Sequence, residues 1–492
     1  MRTRFLALIL ALVLSAMLIV LTNRLILADN AISPDEKAYL ISAKLFSQGK
    51  LSTPSPPHKE FYSFNYDNVV NDGKYYGKYP PGWPFFLSLG LLLGLPMVVN
   101  LVFAVLTLAV VYAIGKEFYS HQTGLTAVLL MGTSPYIIYN SASYFSHAAV
   151  LFFITLFTYV YFRTLKSHKT GDYLLLGMTL GIAFVIRPVD AIAVGACFFV
   201  HYALTRRRQA KAGTPTPGRE TVNAGFFILG SLTFIGLLLL YNHIQTGSAL
   251  LNPFQKYNPG DTLSFSIVQS AAMIITSLLK GLVAWIPYSP LILFGIVLAR
   301  GKRKNTTFLL FSILPALLAA YSLYVGSGGY QYGPRYLYAS ASALFLIMAE
   351  ALAWISERNR RVYQACLILA LLLNAGLFAI TAPLCRDVIN TKKAVYDTVV
   401  EGGISNAVVF LEQRGRGMIF LPMPAQDFTK DTWFFNDSVV YATDRGNENR
   451  LLTKNYPNRS YYLWKCRLFH ERAEWLEFYH FRIINCTLSP LG

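Results

Sequence analysis

Long apolar blocks separated by short basic loops set the pattern of this chain. Reading the apolar runs against their flanking charges predicts membrane-spanning helices near 5–27, 95–115, 122–138, 145–164, 173–187, 190–204, 222–241, 281–299, 307–325, 336–355 and 362–382. A helix needs roughly 20 apolar residues to cross a bilayer core, so these blocks are of spanning size and the shorter ones have uncertain ends. About eleven crossings make the chain an all-α polytopic membrane bundle with its two ends on opposite sides. The first block, Phe5–Leu27, follows two arginines as a signal peptide would, but its length favours an uncleaved first helix.

Composition supports this reading. Of 492 residues 54% are hydrophobic and only 14% charged, with mean hydropathy +0.42, where a soluble domain carries nearer a quarter charged residues. The net charge of +18 does not point to nucleic acid. Its cations cluster in short loops, Arg2/Arg4, Lys166/Lys169, Arg206–Arg208, Arg300–Lys304 and Arg358–Arg361, which all fall on one side of the predicted bundle. That is the positive-inside pattern, and it puts the N-terminus in the cytoplasm of a bacterial inner membrane. Of the five cysteines, Cys197 and Cys366 lie in apolar blocks, while Cys385, Cys466 and Cys486 fall on the far, oxidising side. A Cys466–Cys486 disulfide is one of the pairings open there.

Two long outer loops interrupt the apolar pattern. In the first, 28–84, Ser33-Pro34-Asp35-Glu36 has the form of a helix start: Ser33 as N-cap, Pro34 at the first position and Glu36 completing a capping box. Ala38, Ile41 and Leu45 then share one face and Gly49 ends the helix, which predicts a short amphipathic helix outside the first span. The second loop ends in Ile267–Leu279, whose apolar spacing suits an interfacial or packed helix. After Pro383 charges become frequent and apolar runs shorten. The spacing predicts a helix over 388–400, short strands at 407–411, 418–421, 438–442 and 461–464, and a helix near 449–454. The chain thus divides into a membrane domain, 1–383, and a small α/β domain, 384–492, facing the periplasm or cell exterior.

Asp35 and Glu36 are the only adjacent acids of the first outer loop. On spacing alone, both simply complement the positive end of a helix. Arg187 and Asp190 flank a tight turn between two spans and read best as a structural pair, although ionisable groups at such places are functional candidates. His147 reads first as a packed histidine. Tyr75, Tyr76 and Tyr79 suit sugar stacking, but tyrosine is enriched at membrane interfaces in any case.

The order of several segments changes this balance. Pro34-Asp35-Glu36-Lys37-Ala38-Tyr39, then Asp72-Gly73-Lys74-Tyr75-Tyr76-Gly77-Lys78-Tyr79-Pro80-Pro81-Gly82-Trp83-Pro84, resembles the first outer loop of membrane-embedded (GT-C type) glycosyltransferases. The likeness is to bacterial relatives of the protein O-mannosyltransferases and to the aminoarabinose transferases of lipid A. Ser277–Leu282 followed by Pro287-Tyr288-Ser289-Pro290, and Gly333-Pro334-Arg335-Tyr336-Leu337, resemble later segments of the same enzymes, so the resemblance spans roughly residues 1–380. Where relatives often carry an acid at the outer start of the fourth span, this chain has Ser146-His147.

The resemblance implies an inverting transfer of a sugar from a polyprenyl-phosphate carrier to a lipid, glycan or protein hydroxyl, without cofactor or metal. Its matching positions make Asp35 the catalytic base, with Glu36 beside it as a second catalytic candidate more suited to capping. Lys78 and Arg335 become the cations for the donor phosphate, and Tyr39, Tyr79, His147 and Tyr336 candidate substrate contacts. A transporter or flippase of lipid-linked sugars is the competing class. Such proteins are often built from inverted repeats with sites at the midplane; no repeat stands out here, and the candidate acids lie outside the bilayer.

Overall fold

The computed structural model describes residues 2–62, 68–212, 220–259, 267–299, 301–323, 331–412, 425–429, 433, 436–473 and 478–491. Among these, eight helices are long and apolar enough to cross a membrane: Thr3–Ile26, Pro96–Phe118, His147–Ser167, Pro188–Lys211, Glu220–Thr246, Arg303–Ser322, Arg335–Arg358 and Arg360–Glu401. The three remaining expected spans take other forms, each for a local reason. The block at 122–138 is broken into His121–Thr133 and Pro135–Ala142, because Ser134 turns extended and Pro135 has no N–H with which to continue the first helix. The block at 173–187 forms Thr170–Ile186, 17 residues long, which stops before Pro188. The block at 281–299 splits around Pro287 and Pro290 into the wide-turn segment Ser277–Val283 and the helix Leu291–Leu298.

Buried side chains concentrate where His147–Ser167 and Arg335–Arg358 run through the bundle, with 72% and 83% of their apolar windows covered by protein. Leu344–Ala349 is buried throughout. The outer helices leave apolar side chains such as Phe199, Leu232 and Leu372 exposed, as a surface bathed in lipid tails requires.

The first outer loop is more structured than its sequence suggests. Its helix, Pro34–Ser47, starts with the expected Ser33–Glu36 capping box and ends before Gly49 at φ +69°. It is not a surface amphipathic helix: every residue from Glu36 to Leu45 is buried, Lys37 and Lys44 included. The helix Gly82–Leu92 and a three-stranded antiparallel sheet of Thr53–Pro54, Lys74–Gly77 and Val69–Asp72 pack on it. Gly77 is required at this contact, since a Cβ there would collide with the Ala38 carbonyl.

The last span does not stop at the membrane domain. Arg360–Glu401 is one helix of 42 residues with Pro383 inside it, so the expected boundary after residue 383 falls within a continuous element. Beyond it lies a four-stranded sheet in the order Val439–Thr443, Ala407–Leu411, Ser460–Ala473, Phe478–Pro490. Its first three strands are parallel and the last closes an antiparallel hairpin. Cys466 and Cys486 face each other across that hairpin and form a disulfide. The strand expected at 418–421 lies outside the described residues.

Candidate functional site

Asp35 occupies the second position of the Pro34–Ser47 helix, where Ser33 and Pro34 fix the chain direction and the carboxylate emerges at the positive end of the helix. Three donors from distant parts of the chain converge on it. The Tyr79 hydroxyl donates to Oδ1 at 2.6 Å, and Asn68 Nδ2 donates to the same oxygen at 2.6 Å. Arg335, 300 residues away in sequence, forms an ion pair with Oδ2 at 3.1 Å. A carboxylate offers about four lone-pair sites, so three donors leave it room for one more. Burial alone would raise the Asp35 pKa. The Arg335 guanidinium, the Tyr79 hydroxyl and the Lys78 ammonium outweigh burial and hold it below the ordinary carboxylate value. Asp35 is therefore ionised at neutral pH, ready to accept a proton.

Lys78 follows directly on the Lys74–Gly77 strand and is 5% exposed. Its ammonium sits 4.4 Å from the centroids of both Phe254 and Tyr257 and 5.6 Å from that of Tyr79. Such aromatic faces attract a cation while keeping water from it. The short helix Pro253–Tyr257 in the second outer loop supplies two of these rings. Arg335 opens the 3-10 turn Arg335–Ser340 and lies 4.2 Å over the Phe145 ring. Two cations thus flank Asp35, each steadied by an aromatic face.

Glu36 has a different part. It is fully buried, and its two oxygens accept from Ile32 N and Ser33 N at 3.0 Å and from Tyr144 N at 2.8 Å. Burial raises its pKa to about 7 despite those three bonds. With its oxygens committed to the backbone and no exposure, Glu36 holds the start of the helix in place.

The other expected contacts are distributed around this core. Tyr39 packs 4.7 Å from Tyr79, and its hydroxyl meets Ser146 Oγ at 3.2 Å; burial pushes its pKa up to about 12. His147 begins the helix His147–Ser167, is 2% exposed, and has no hydrogen-bond partner for either ring nitrogen among the described residues. Its ring lies edge-on to Phe145 and Tyr338. Tyr336 stacks on Tyr321 at 4.3 Å. The Tyr321 hydroxyl donates to Asp190 Oδ1 at 2.6 Å, completing a buried cluster in which Arg187 Nε pairs with Asp190 Oδ2 at 2.5 Å. The Arg187–Asp190 pair expected at that turn is formed.

Sequence reasoning missed Asn68, Phe254 and Tyr257. Asn68 lies at φ +59°, a left-handed conformation that asparagine tolerates better than most residues, so its identity was a weak signal of a special turn. The two rings gave none, being ordinary aromatics in a polar loop.

This arrangement can be set beside known proteins. Residues 78–228 match the family model described as dolichyl-phosphate-mannose-protein mannosyltransferase, a match that begins at Lys78. ArnT from Cupriavidus metallidurans, solved bound to undecaprenyl phosphate, superposes with TM-score 0.58 at 10% identity, covering 98% of this chain and 97% of that one. The fold is the GT-C fold. The Archaeoglobus fulgidus oligosaccharyltransferase in its apo form is similar too, with TM-score 0.51 at 12% identity over 94% of this chain and 69% of its own. No curated protein matches the sequence significantly. The likeness to ArnT takes in the bundle and the C-terminal domain together, since nearly the whole length of both chains is covered.

Proposed function

We propose that this chain is an inverting glycosyltransferase that moves a sugar from a polyprenyl-phosphate carrier to an acceptor hydroxyl at the outer face of a bacterial inner membrane. The observation that carries the proposal is the convergence of Asp35, Lys78 and Arg335 from three separate segments onto one partly buried point. A structural helix cap needs no arginine 300 residues away and no caged lysine.

An acceptor hydroxyl attacks the anomeric carbon well only when its proton has a destination. Asp35, ionised and with one side still able to accept, is that destination when within ~2.6–3.2 Å of the hydroxyl, a contribution on the order of 10²–10⁴ in rate. The C–O bond to the carrier breaks as the new glycosidic bond forms, and the leaving phosphate gains negative charge. Lys78 and Arg335 stabilise that charge in surroundings of low dielectric. Tyr39, Tyr79, Tyr336 and His147 are proposed to line the path of sugar or acceptor. The similarity to a structure holding undecaprenyl phosphate supports a lipid-linked donor. The positive-inside loops support a cytoplasmic N-terminus, with the C-terminal domain beside the donor on the outer side.

The test is purified protein in nanodiscs with polyprenyl-phosphate sugars radiolabelled in the sugar. The proposal expects acceptor-dependent loss of labelled donor and release of free carrier phosphate in equal amounts. Movement of intact donor between leaflets without carrier release would instead show a flippase.

A further inference from the structure

The segment that delivers Asp35 to the site starts from a strained turn. Ala28 and Asp29 both lie at positive φ, +48° and +56°, directly after the first span. Neither is glycine, and such conformations persist where surrounding contacts over-determine them. Two backbone carbonyls of this segment accept hydrogen bonds from the C-terminal third of the chain. Asp29 O accepts from Ala425 N at 2.9 Å. Ile32 O, three residues before Asp35, accepts from the Lys392 ammonium. Lys392 lies on the Arg360–Glu401 helix, nine residues beyond Pro383, and its charge acts on the buried Glu36 carboxylate. Glu36 in turn holds Ile32 N, Ser33 N and Tyr144 N. The segment from that turn to the helix start is therefore held at several points: Asp29 by Ala425, and Ile32 by both Glu36 and Lys392.

We infer that Lys392 is a positioning residue for the transfer reaction, holding the Ile32–Glu36 segment so that the Asp35 carboxylate stays registered against Tyr79 and Arg335. The inference rests on the reading of Asp35 as the base. It gives the C-terminal helix a part in the reaction without contact with substrate: the Lys392 ammonium supplies the donor for the carbonyl of the buried Ile32. Displacement of a catalytic group by about 1 Å costs on the order of 10²-fold in rate, so a loosened turn affects turnover before it affects donor capture by Lys78 and Arg335.

Lys392→Met keeps the length of the side chain and removes the donor, while Lys392→Arg keeps a cation. Both are compared with wild type in nanodiscs by hydrogen exchange over residues 29–47 and by steady-state kinetics. The expected result for Lys392→Met is faster exchange confined to that segment, kcat lowered by roughly 10–100-fold and donor KM within about threefold, with Lys392→Arg recovering most of the loss. Unchanged exchange with wild-type kcat, or a loss confined to KM, overturns the inference.

If Lys392→Met leaves Glu36 uncompensated and does not fold, the Lys392→Met/Glu36→Gln double variant removes that buried charge. A folded double variant with wild-type exchange and kcat overturns the inference equally. The two readings fail separately: exchange needs no turnover, and wild-type activity in Asp35→Asn would remove the base while leaving the clamp measurable.

Discussion

A carboxylate, a lysine and an arginine come together here, and the proposed mechanism gives each a different task. Asp35 is ionised because Arg335, Tyr79 and Lys78 oppose its burial. Glu36, one residue on, holds three backbone donors on its oxygens, and burial raises its pKa from 4.5 to about 7 despite them. The sign follows directly. Between those two values the folded protein holds the Glu36 proton more tightly than the unfolded chain, so this group's contribution to stability falls as pH rises from about 4.5 to about 7. Apparent melting temperature measured across that range should decline more steeply in wild type than in Glu36→Gln; parallel curves would show that Glu36 does not titrate there. For the cations, Lys78→Ala and Arg335→Ala should each weaken use of the lipid-linked donor by about 1.5–3 kcal/mol, the worth of a charge-assisted hydrogen bond. Donor kinetics read this out, and unchanged values in both variants would remove the phosphate assignment.

At the scale of elements, the site depends on one helix start and the strand packed across it. The Ser33–Glu36 capping box was legible in the sequence because it is a local pattern with a local cause. The burial of that helix was not legible, because the Gly82–Leu92 helix, the Lys74–Gly77 strand and the Ala425–Thr429 turn that cover it are brought onto it only by the fold. Lys37 and Lys44 are charged, and only the fold shows them buried, with Lys44 lying over Trp433. The contact at Gly77 makes a sharp prediction. Gly77 N donates to Ser42 Oγ at 3.2 Å, and an added methyl meets the Ala38 carbonyl. Gly77→Ala should therefore destabilise the first outer loop by about 1–3 kcal/mol, seen as a lowered apparent melting temperature. An unaltered melt would mean that strand and helix do not approach so closely.

At the scale of the molecule, apolar block length and basic loops were enough to announce a membrane bundle, and eight of its helices reach spanning length among the described residues. The proline-broken segments were harder to delimit, because hydropathy averages across the break at Ser134-Pro135 and across Pro287–Pro290 while the backbone does not. The closing hairpin was half legible. Tyr461–Trp464 was visible as a strand, whereas the rest of Ser460–Ala473 is interrupted by charges and Phe478–Pro490 opens on a cluster of aromatics without clean alternation. Arg335 joined the site through resemblance alone, since nothing in a sequence states that residue 335 will meet residue 35. The proposed topology has its own check: a reporter fused after Gly492 should be active only outside the cytoplasm, and cytoplasmic activity would invert the arrangement of the site relative to the lipid-linked donor.

The central claim is that Asp35 takes the acceptor proton, and Asp35→Asn addresses it most directly. Asparagine keeps the shape of the side chain and leaves the Ser33–Glu36 cap untouched, but it has neither the negative charge nor the carboxylate's proton affinity. In nanodiscs, with melting curves to confirm an intact fold, the account predicts a turnover loss of about 10² or more with donor binding largely retained. A well-folded Asp35→Asn protein that transfers sugar at the wild-type rate would contradict it.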